Sequence, residues 1–180
     1  LKAELEAKGE KLDYQAFIPP PAADADNFAA TPLLAPLLDY DRSMPGKWKQ
    51  PMEKQQVRAV SGAFSNYAEK KSPRPGSWQI DEPAPLDEWQ DYFVGHTNYP
   101  GAARAENPAL GILRALQKFD GELAELEAAS SRPRSVFPVH YEENFNALLP
   151  HLATIKGIST VVRLRSLARL RAGLKDEALR

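Results

Sequence analysis

The sequence predicts a mostly α-helical protein: an irregular helical domain in which long, ordered, proline-rich segments wrap around a central C-terminal helix, with little or no sheet. The stretch 144–180 has few helix breakers and places Leu164, Leu167, Leu170 and Leu174 three, three and four residues apart, as on one face of a helix. No segment shows the sustained alternation of apolar and polar residues that marks a half-buried strand. Proline occupies 16 of 180 positions, about 9% against an average of about 5%, and is concentrated between the predicted helices.

The composition is that of a single helical domain spanning residues 1–180. Hydrophobic residues make up 43% and charged residues 26% of the chain, which is enough to form a buried core. The formal net charge of −1 gives no electrostatic reason to expect nucleic acid or an anionic membrane as a partner. The absence of cysteine excludes disulfides, thiolate zinc sites and a cysteine nucleophile. No run approaches the ~18 apolar residues that a membrane helix needs.

The first 50 residues predict an N-terminal helical arm, 1–18, followed by a first wrap, 19–50. Alanine, glutamate and leucine favour a helix that Gly9 ends, and Asp13 is placed to cap one further turn. The triple proline at the start of the wrap requires an extended backbone, and later prolines allow only short turns. We nevertheless expect the wrap to be ordered, because it carries large apolar residues that can pack onto helices: Leu33, Leu34, Leu37, Leu38 and Trp48.

Two helices, 52–71 and 86–95, are predicted on either side of a second wrap, 72–85, which contains Trp78. In both helices the apolar positions recur every three or four residues: Val57, Val60, Phe64 and Tyr67 in the first, and Leu86, Trp89, Tyr92 and Phe93 in the second. We interpret the aromatic residues of the second helix, together with Tyr99, as core rather than as the lining of a ligand groove.

The helical core is predicted over 104–180. Asn107 as N-cap and proline at the first helical position begin a helix that runs to about Ala129. Its buried seam is Ile112, Leu116, Phe119, Leu123 and Leu126. The prolines that follow require an extended segment, in which Val136 and Val139 can form only a short strand without an identifiable partner.

The last long helix begins near Asn146, accepts Pro150 in its first turn, and is predicted to be interrupted at Gly157. Its first half is apolar on nearly all sides, which requires packing on several sides and makes it the central helix. A break at 172–173, followed by Asp176 as a cap, predicts a second helix that folds back on it. This helix–turn–helix segment resembles the turn between the two helices of a tetratricopeptide-type repeat.

The candidate catalytic residues are His140, Glu142 and Glu143, with His151 further along the chain. One carboxylate beside His140 would serve as a general base, or His140, Glu143 and His151 would bind a metal ion. The alternative is that these acidic residues precede a helix because its N-terminal dipole favours negative charge. No histidine lies three to five residues from another, and no glycine-rich phosphate motif occurs, so we expect neither a metal nor a cofactor.

Four arginines, Arg163, Arg165, Arg169 and Arg171, lie near the C-terminus. They point in several directions around the helix instead of forming the single basic stripe that nucleic acid would require. We expect Arg163 and Arg171 to lay their stems along apolar surface and to pair with carboxylates.

Three stretches together, 86–93 (LDEWQDYF), 118–130 (KFDGELAELEAAS) and 132–158 (RPRSVFPVHYEENFNALLPHLATIKGI), resemble a group of uncharacterised bacterial proteins. In that group one membrane-spanning segment directly precedes the helix that begins here at Leu1, and the chain continues past the phrase at 176–179. The resemblance implies an anchored domain on the extracytoplasmic side of the inner membrane, with both ends of this chain truncated. It implies no activity, cofactor or catalytic residue.

The leading functional prediction is a non-enzymatic helical scaffold or protein-binding module of the bacterial cell envelope. A protein partner or a second copy would dock on the face formed by Leu164, Leu167, Leu170 and Leu174, and the membrane would be reached only through the missing N-terminal segment. The alternative prediction is a hydrolase or metal-dependent enzyme that uses His140, Glu142 and Glu143.

Overall fold

The computed structural model describes residues 1–38, 56–64, 72–99 and 101–178. Within these ranges the chain is mostly helical and forms no sheet, which confirms the predicted fold class. The α-helices are α1 (Lys2–Ala7), α2 (Gln56–Ser61), α3 (Leu86–Val94), α4 (Pro108–Leu116), α5 (Asp120–Ser130), α6 (Pro150–Arg171) and α7 (Lys175–Ala178). Among the described residues, no helix combines the length and the apolarity that crossing a bilayer requires.

Helix α6 is the central helix, as predicted, because it packs against α2, α4, α7 and the short 3-10 turn Ala35–Leu38. It begins with a proline in its first turn. A backbone N–H at that position has no acceptor within the helix, so its absence in proline costs no hydrogen bond. Its buried side chains recur every three or four residues: His151, Thr154, Ile158, Val161, Leu164 and Ala168.

The predicted leucine face of α6 is wrong as a single surface. Leu164 is fully buried, whereas Leu170 is 47% and Leu174 38% exposed, and Leu167 lies between these extremes. Each residue advances the helix by about 100°, so Leu170 points roughly 120° away from Leu164. The core seam instead continues from Leu164 to Ala168.

The predicted interruption of α6 at Gly157 is also wrong, since the helix is continuous through that residue. A Cβ atom at position 157 would overlap with the backbone of Ser61 at the end of α2. The glycine therefore allows α2 and α6 to approach closely, which is a packing role rather than a break.

The helix predicted over 107–129 is divided into α4 and α5 by the 3-10 turn Gln117–Phe119. Its start is as expected, because the Asn107 Oδ1 accepts a hydrogen bond of 3.0 Å from the N–H of Ala109. The predicted seam is buried on both sides of the turn: Ile112, Leu116, Phe119, Leu123 and Leu126. This 3-10 turn directly precedes Asp120 and a glycine, and aspartate and glycine both have low helix propensity.

The aromatic residues of α3 belong to the core, as predicted. Trp89 is fully buried, its ring centroid lies 4.6 Å from that of Phe64, and its Nε1–H donates a 3.2 Å hydrogen bond to the carbonyl of Arg74. Tyr99 is buried and its hydroxyl donates to the carbonyl of Ala63 at 2.9 Å. These contacts join α3 to the end of α2 and to the second wrap.

The described part of the first wrap, 19–38, is ordered and anchored as expected. Leu33, Leu34 and Leu37 are buried in the core. The chain bends through three 3-10 turns, Asp24–Asp26, Phe28–Ala30 and Ala35–Leu38. Four predicted positions lie outside what the structure describes: Trp48, Tyr67 and the side chains of Leu38 and Trp78.

The predicted strand at Val136 and Val139 is absent from the described chain. Instead, the side-chain amide of Asn27 bonds to both backbone groups of Val136: its Nδ2 donates to the carbonyl at 2.9 Å, and its Oδ1 accepts from the N–H at 2.8 Å. The backbone of Phe28 donates to the Arg134 carbonyl at 2.8 Å. The first wrap is thus fastened to the extended segment after α5 by one asparagine and a single β-bridge.

The two ends of the chain follow the predicted turns. Asp13 caps the 3-10 turn Tyr14–Phe17 by accepting from the N–H of Gln15 at 3.0 Å. At the other end, Gly173 adopts a φ of +84° and lets the chain reverse. Helix α7 then begins at Lys175, one residue before the cap predicted at Asp176, and packs back on α6.

Candidate functional site

The predicted catalytic residues lie in and beside a 3-10 turn, Tyr141–Asn146, which precedes α6. His140 Nδ1 lies 3.3 Å from Glu142 Oε1, and the carboxylate side chain is 56% exposed. Glu142 and Glu143 occupy the first turn of this short helix, where the free N–H groups favour acidic residues. The two glutamates thus lie within a separate 3-10 turn and not directly before the long helix α6, which begins at Pro150.

His151 does not join this cluster. It lies in the first turn of α6, is buried, and its ring stacks on Phe137 with a centroid distance of 4.3 Å and an interplanar angle of 8°. Its Nδ1 is buried and has no hydrogen-bond partner among the described residues, and burial lowers the pKa of the imidazole below its ordinary value. Among the described residues no three histidine or carboxylate side chains meet as metal ligands, so His140, Glu143 and His151 are not brought together.

A groove of about 300 Å³ lies between α5 and α6, and we call it the α5–α6 groove. Its floor and walls are apolar side chains from three parts of the chain: Leu34, Leu123, Leu126, Ile155, Ile158 and Val162. Val162 is 44% exposed, although Val161 beside it is fully buried in the core. The groove therefore presents aliphatic surface that the described part of the chain leaves uncovered.

Charged side chains form the rim of this groove. Arg165 of α6 reaches across to Asp120 at the start of α5, with 2.7 Å between Nη2 and Oδ1. Arg169 is held by α7, because its Nη1 donates to the Glu177 carbonyl at 2.7 Å. Glu127 forms no ion pair within the described chain, so it is the rim charge that remains available.

The arginine contacts differ from those predicted. Arg163 donates from Nη2 to the carbonyl of Gly76 at 2.9 Å, and Arg171 forms no ion pair with the described residues. Carboxylates are paired instead by Arg165 and Arg169, the two arginines that line the α5–α6 groove. The expectation for Arg163 and Arg171 is therefore wrong as to which arginines pair.

A second cavity of about 570 Å³ lies between the first wrap and the segment after α5, and we call it the proline cleft. One wall is the extended run that contains Pro19 and Pro21, and the other is the run from Val136 to Val139. Alanine side chains line it as well, and Tyr141 contributes an aromatic ring. Neither cavity was predicted, because each joins residues that are distant in the sequence.

The comparison with known proteins gives no relative: no protein-family model, no curated protein and no solved structure matches this chain. The geometry of the described residues is therefore the basis for assigning a function.

Proposed function

We propose that this protein is a non-enzymatic, helical protein-binding module that accepts the apolar face of a partner helix in the α5–α6 groove. The observation that carries the proposal is the aliphatic lining of the groove, in which the exposed Val162 and the half-buried Ile155 lie beside core leucines. Covering such a surface removes apolar area from water, at about 25 cal/mol per Å². A helix with apolar residues at positions i, i+3, i+4 and i+7 has the matching surface.

A helix fits this groove better than an extended peptide does. Both walls are α-helices, whose interior N–H and C=O groups are bonded within each helix, so they offer no ladder to an added strand. A partner helix brings a backbone that is satisfied in the same way. Recognition then depends on side chains alone, as in other helix-in-groove complexes.

The rim charges define what the partner carries beside its apolar face. Glu127 is exposed on α5 and favours a lysine or arginine of the partner. The contact between Arg165 and Asp120 spans the groove at the start of α5 and neutralises both side chains there. The proposed partner is therefore an amphipathic helix with aliphatic residues on one face and at least one basic residue next to them.

The proposed place of action is the bacterial cell envelope, on the extracytoplasmic side of the inner membrane. This location is supported by the resemblance of the three sequence stretches to anchored bacterial proteins, and a binding module of this kind would act there as a scaffold. Self-association through Leu170 and Leu174 is a separate proposal, since neither residue lines the groove.

Site-specific photo-crosslinking in cells that express the protein tests the groove. A benzophenone amino acid replaces Val162 in the groove or, as the matched control, Leu110 of α4, which is 41% exposed and lies outside it. We expect position 162 to give a covalent adduct with a defined partner, and mass spectrometry to place the crosslink on an amphipathic helix. The adduct at 162 should decrease when Glu127→Lys is introduced, because the rim charge then repels the basic partner.

The opposite results would refute the proposal. Equal adducts at positions 162 and 110, or no adduct with any protein at 162, would show that the groove is not a docking site. A crosslink at 162 that maps to an extended segment of the partner would show that a helix is the wrong class of ligand.

A further inference from the structure

The proline cleft has a lining that selects one class of peptide backbone. Its first wall is the extended run Ile18–Ala22, in which three consecutive prolines have no N–H to donate. In its second wall the N–H of Val136 already donates to Asn27, and the N–H of Val139 donates to the carbonyl of Phe137 at 2.8 Å. A β-strand that needs an alternating row of donors and acceptors finds few free donors here.

A polyproline II helix does not require the walls to supply a regular row of backbone hydrogen-bond donors. It has no internal hydrogen bonds, its backbone remains solvated, and it is already extended before binding, so little conformational entropy is lost. It buries pyrrolidine rings against aromatic and proline rings, which is the surface that Phe137, Pro138 and Pro21 provide. The volume of about 570 Å³ lies within the ordinary range for a peptide or small-ligand site.

Two polar groups in the cleft, the Tyr141 hydroxyl and the Asp24 carboxylate, can fix the orientation of a bound peptide. The hydroxyl of Tyr141 forms no hydrogen bond with the described residues, so it can donate to a carbonyl of the bound peptide. Asp24 is the charged residue among the described side chains that line the cleft, and its carboxylate is exposed at the first wrap. A basic side chain of the peptide is the complement to it.

The aromatic wall is held in place by the fold. Phe137 stacks on the buried ring of His151, which belongs to the central helix α6. Asn27 fixes the neighbouring Val136 to the first wrap. The cleft is therefore built before any ligand arrives, and binding does not have to order its walls.

We propose that the proline cleft binds a proline-rich segment of another protein in the polyproline II conformation, with an arginine or lysine of that segment paired to Asp24. The chain's own Ser72–Pro75 run has the right composition, but the carbonyl of Arg74 accepts the Trp89 indole, which keeps this run inside its own fold. The Ser72–Pro75 run of a second copy is therefore not the ligand that we propose.

The test uses synthetic decapeptides and NMR titration of the purified protein. One peptide has proline at two of every three positions and one terminal arginine; a second has alanine and glycine in place of proline; a third has glutamate in place of arginine. We expect the first to bind with a Kd of about 10–1,000 µM and to shift the amide signals around Tyr141 and Asp24. The other two peptides should bind at least about fivefold more weakly, which corresponds to the loss of roughly one hydrogen bond or contact.

Variants of the protein locate the site. Tyr141→Phe and Asp24→Asn should each weaken binding roughly 2- to 12-fold, the range expected for one hydrogen bond. The matched controls are Tyr14→Phe, an exposed tyrosine outside the cleft, and Asp26→Asn, which lies in the same 3-10 turn as Asp24 but does not line the cleft. Both controls should bind like the unmodified protein.

Three outcomes would overturn the proposal. No binding of the first peptide up to about 2 mM would show that the cleft is not a polyproline site. Equal affinity for the proline and the alanine–glycine peptides would show that the ring contacts do not select the ligand. Equal effects of the cleft variants and their controls would place the peptide elsewhere on the surface.

Discussion

His151 is a polar side chain in an apolar setting. It lies in the first turn of α6, where the helix dipole disfavours positive charge, and its ring is covered by Phe137. Burial lowers the pKa of its imidazole, so the folded protein holds it neutral at a pH where the unfolded chain has begun to take up a proton. The unfolded state therefore gains a proton first as the pH falls below about 6.5.

We predict that His151 makes the protein less stable as the pH falls below about 6.5. One extra proton in the unfolded state lowers the free energy of unfolding by at most about 1.4 kcal/mol per pH unit. Urea unfolding at several pH values between about 7.5 and 5 measures this slope, and His151→Phe should reduce it. A slope that is the same with and without His151 would show that this side chain titrates alike in both states.

The role of Asn27 could not be predicted from the sequence. Its two hydrogen bonds to Val136 join positions 109 residues apart, in a segment for which the sequence predicted at most a short strand without an identifiable partner. Asparagine in a polar, proline-rich run is ordinarily a turn residue. Nothing in its immediate neighbours indicates that its amide is buried and bonded to the far end of the chain.

At the scale of elements, the first wrap contributes to the core as much as a helix does. Leu33, Leu34 and Leu37 are buried there, although the described part of the wrap, 19–38, contains 3-10 turns and no α-helix. The N–H of Leu33 is also bonded, at 2.8 Å, to the Glu125 carboxylate of α5. The wrap is thus fixed to α5 by both an apolar and a polar contact.

We predict that Leu37→Ala lowers the free energy of unfolding by about 2–4 kcal/mol, as for other fully buried leucines, because it leaves a cavity in the core. Leu12→Ala is the matched control, since Leu12 is 45% exposed in the N-terminal arm, and it should change the stability by less than about 0.5 kcal/mol. Denaturation in urea compares the two variants. If Leu37→Ala were as harmless as Leu12→Ala, the wrap would be a tether and not part of the core.

Element boundaries were predictable where a local signal sets them. The Asn107 cap with its following proline, Gly95 after α3 and Gly173 after α6 each stand where a helix begins or ends. The division of the helix at Gln117–Phe119 was not predictable in the same way, because the apolar spacing of three and four residues continues across the turn. Which positions of α6 are buried depends on the neighbouring helices, and the leucine spacing alone does not separate the buried Leu164 from the exposed Leu170.

At the scale of the whole molecule, both candidate sites arise between elements that are far apart in the sequence. The α5–α6 groove joins Leu34, Leu123 and Val162, and the proline cleft joins Pro19 and Val136. A periodic pattern reports which side chains of one helix are apolar, but not how far that helix lies from the next. The sequence did contain one relevant signal, because apolar residues lie on several sides of α6. They are more numerous than the buried positions on the core-facing side of this helix.

The exposed leucines near the end of α6 are also relevant to the oligomeric state of the protein. Leu170 and Leu174 are 47% and 38% exposed, near the turn into α7. Burying the exposed part of such a leucine contributes on the order of 1 kcal/mol. Two leucines per chain form a contact far below the roughly 800 Å² per partner of a standard stable interface. Any self-association through them is therefore weak.

We predict that the protein self-associates weakly through Leu170 and Leu174, with a Kd of about 0.1–1 mM. Sedimentation velocity over a series of concentrations should show a weight-average mass that rises toward the dimer, and Leu170→Glu combined with Leu174→Glu should abolish the rise by placing like charges in the contact. Leu152→Glu, at a 57% exposed leucine in the first turn of the same helix, is the control and should leave the rise unchanged. A protein that stays monomeric up to about 1 mM, or a double variant that associates like the original, would show that these two leucines are ordinary exposed residues of α6 and its turn.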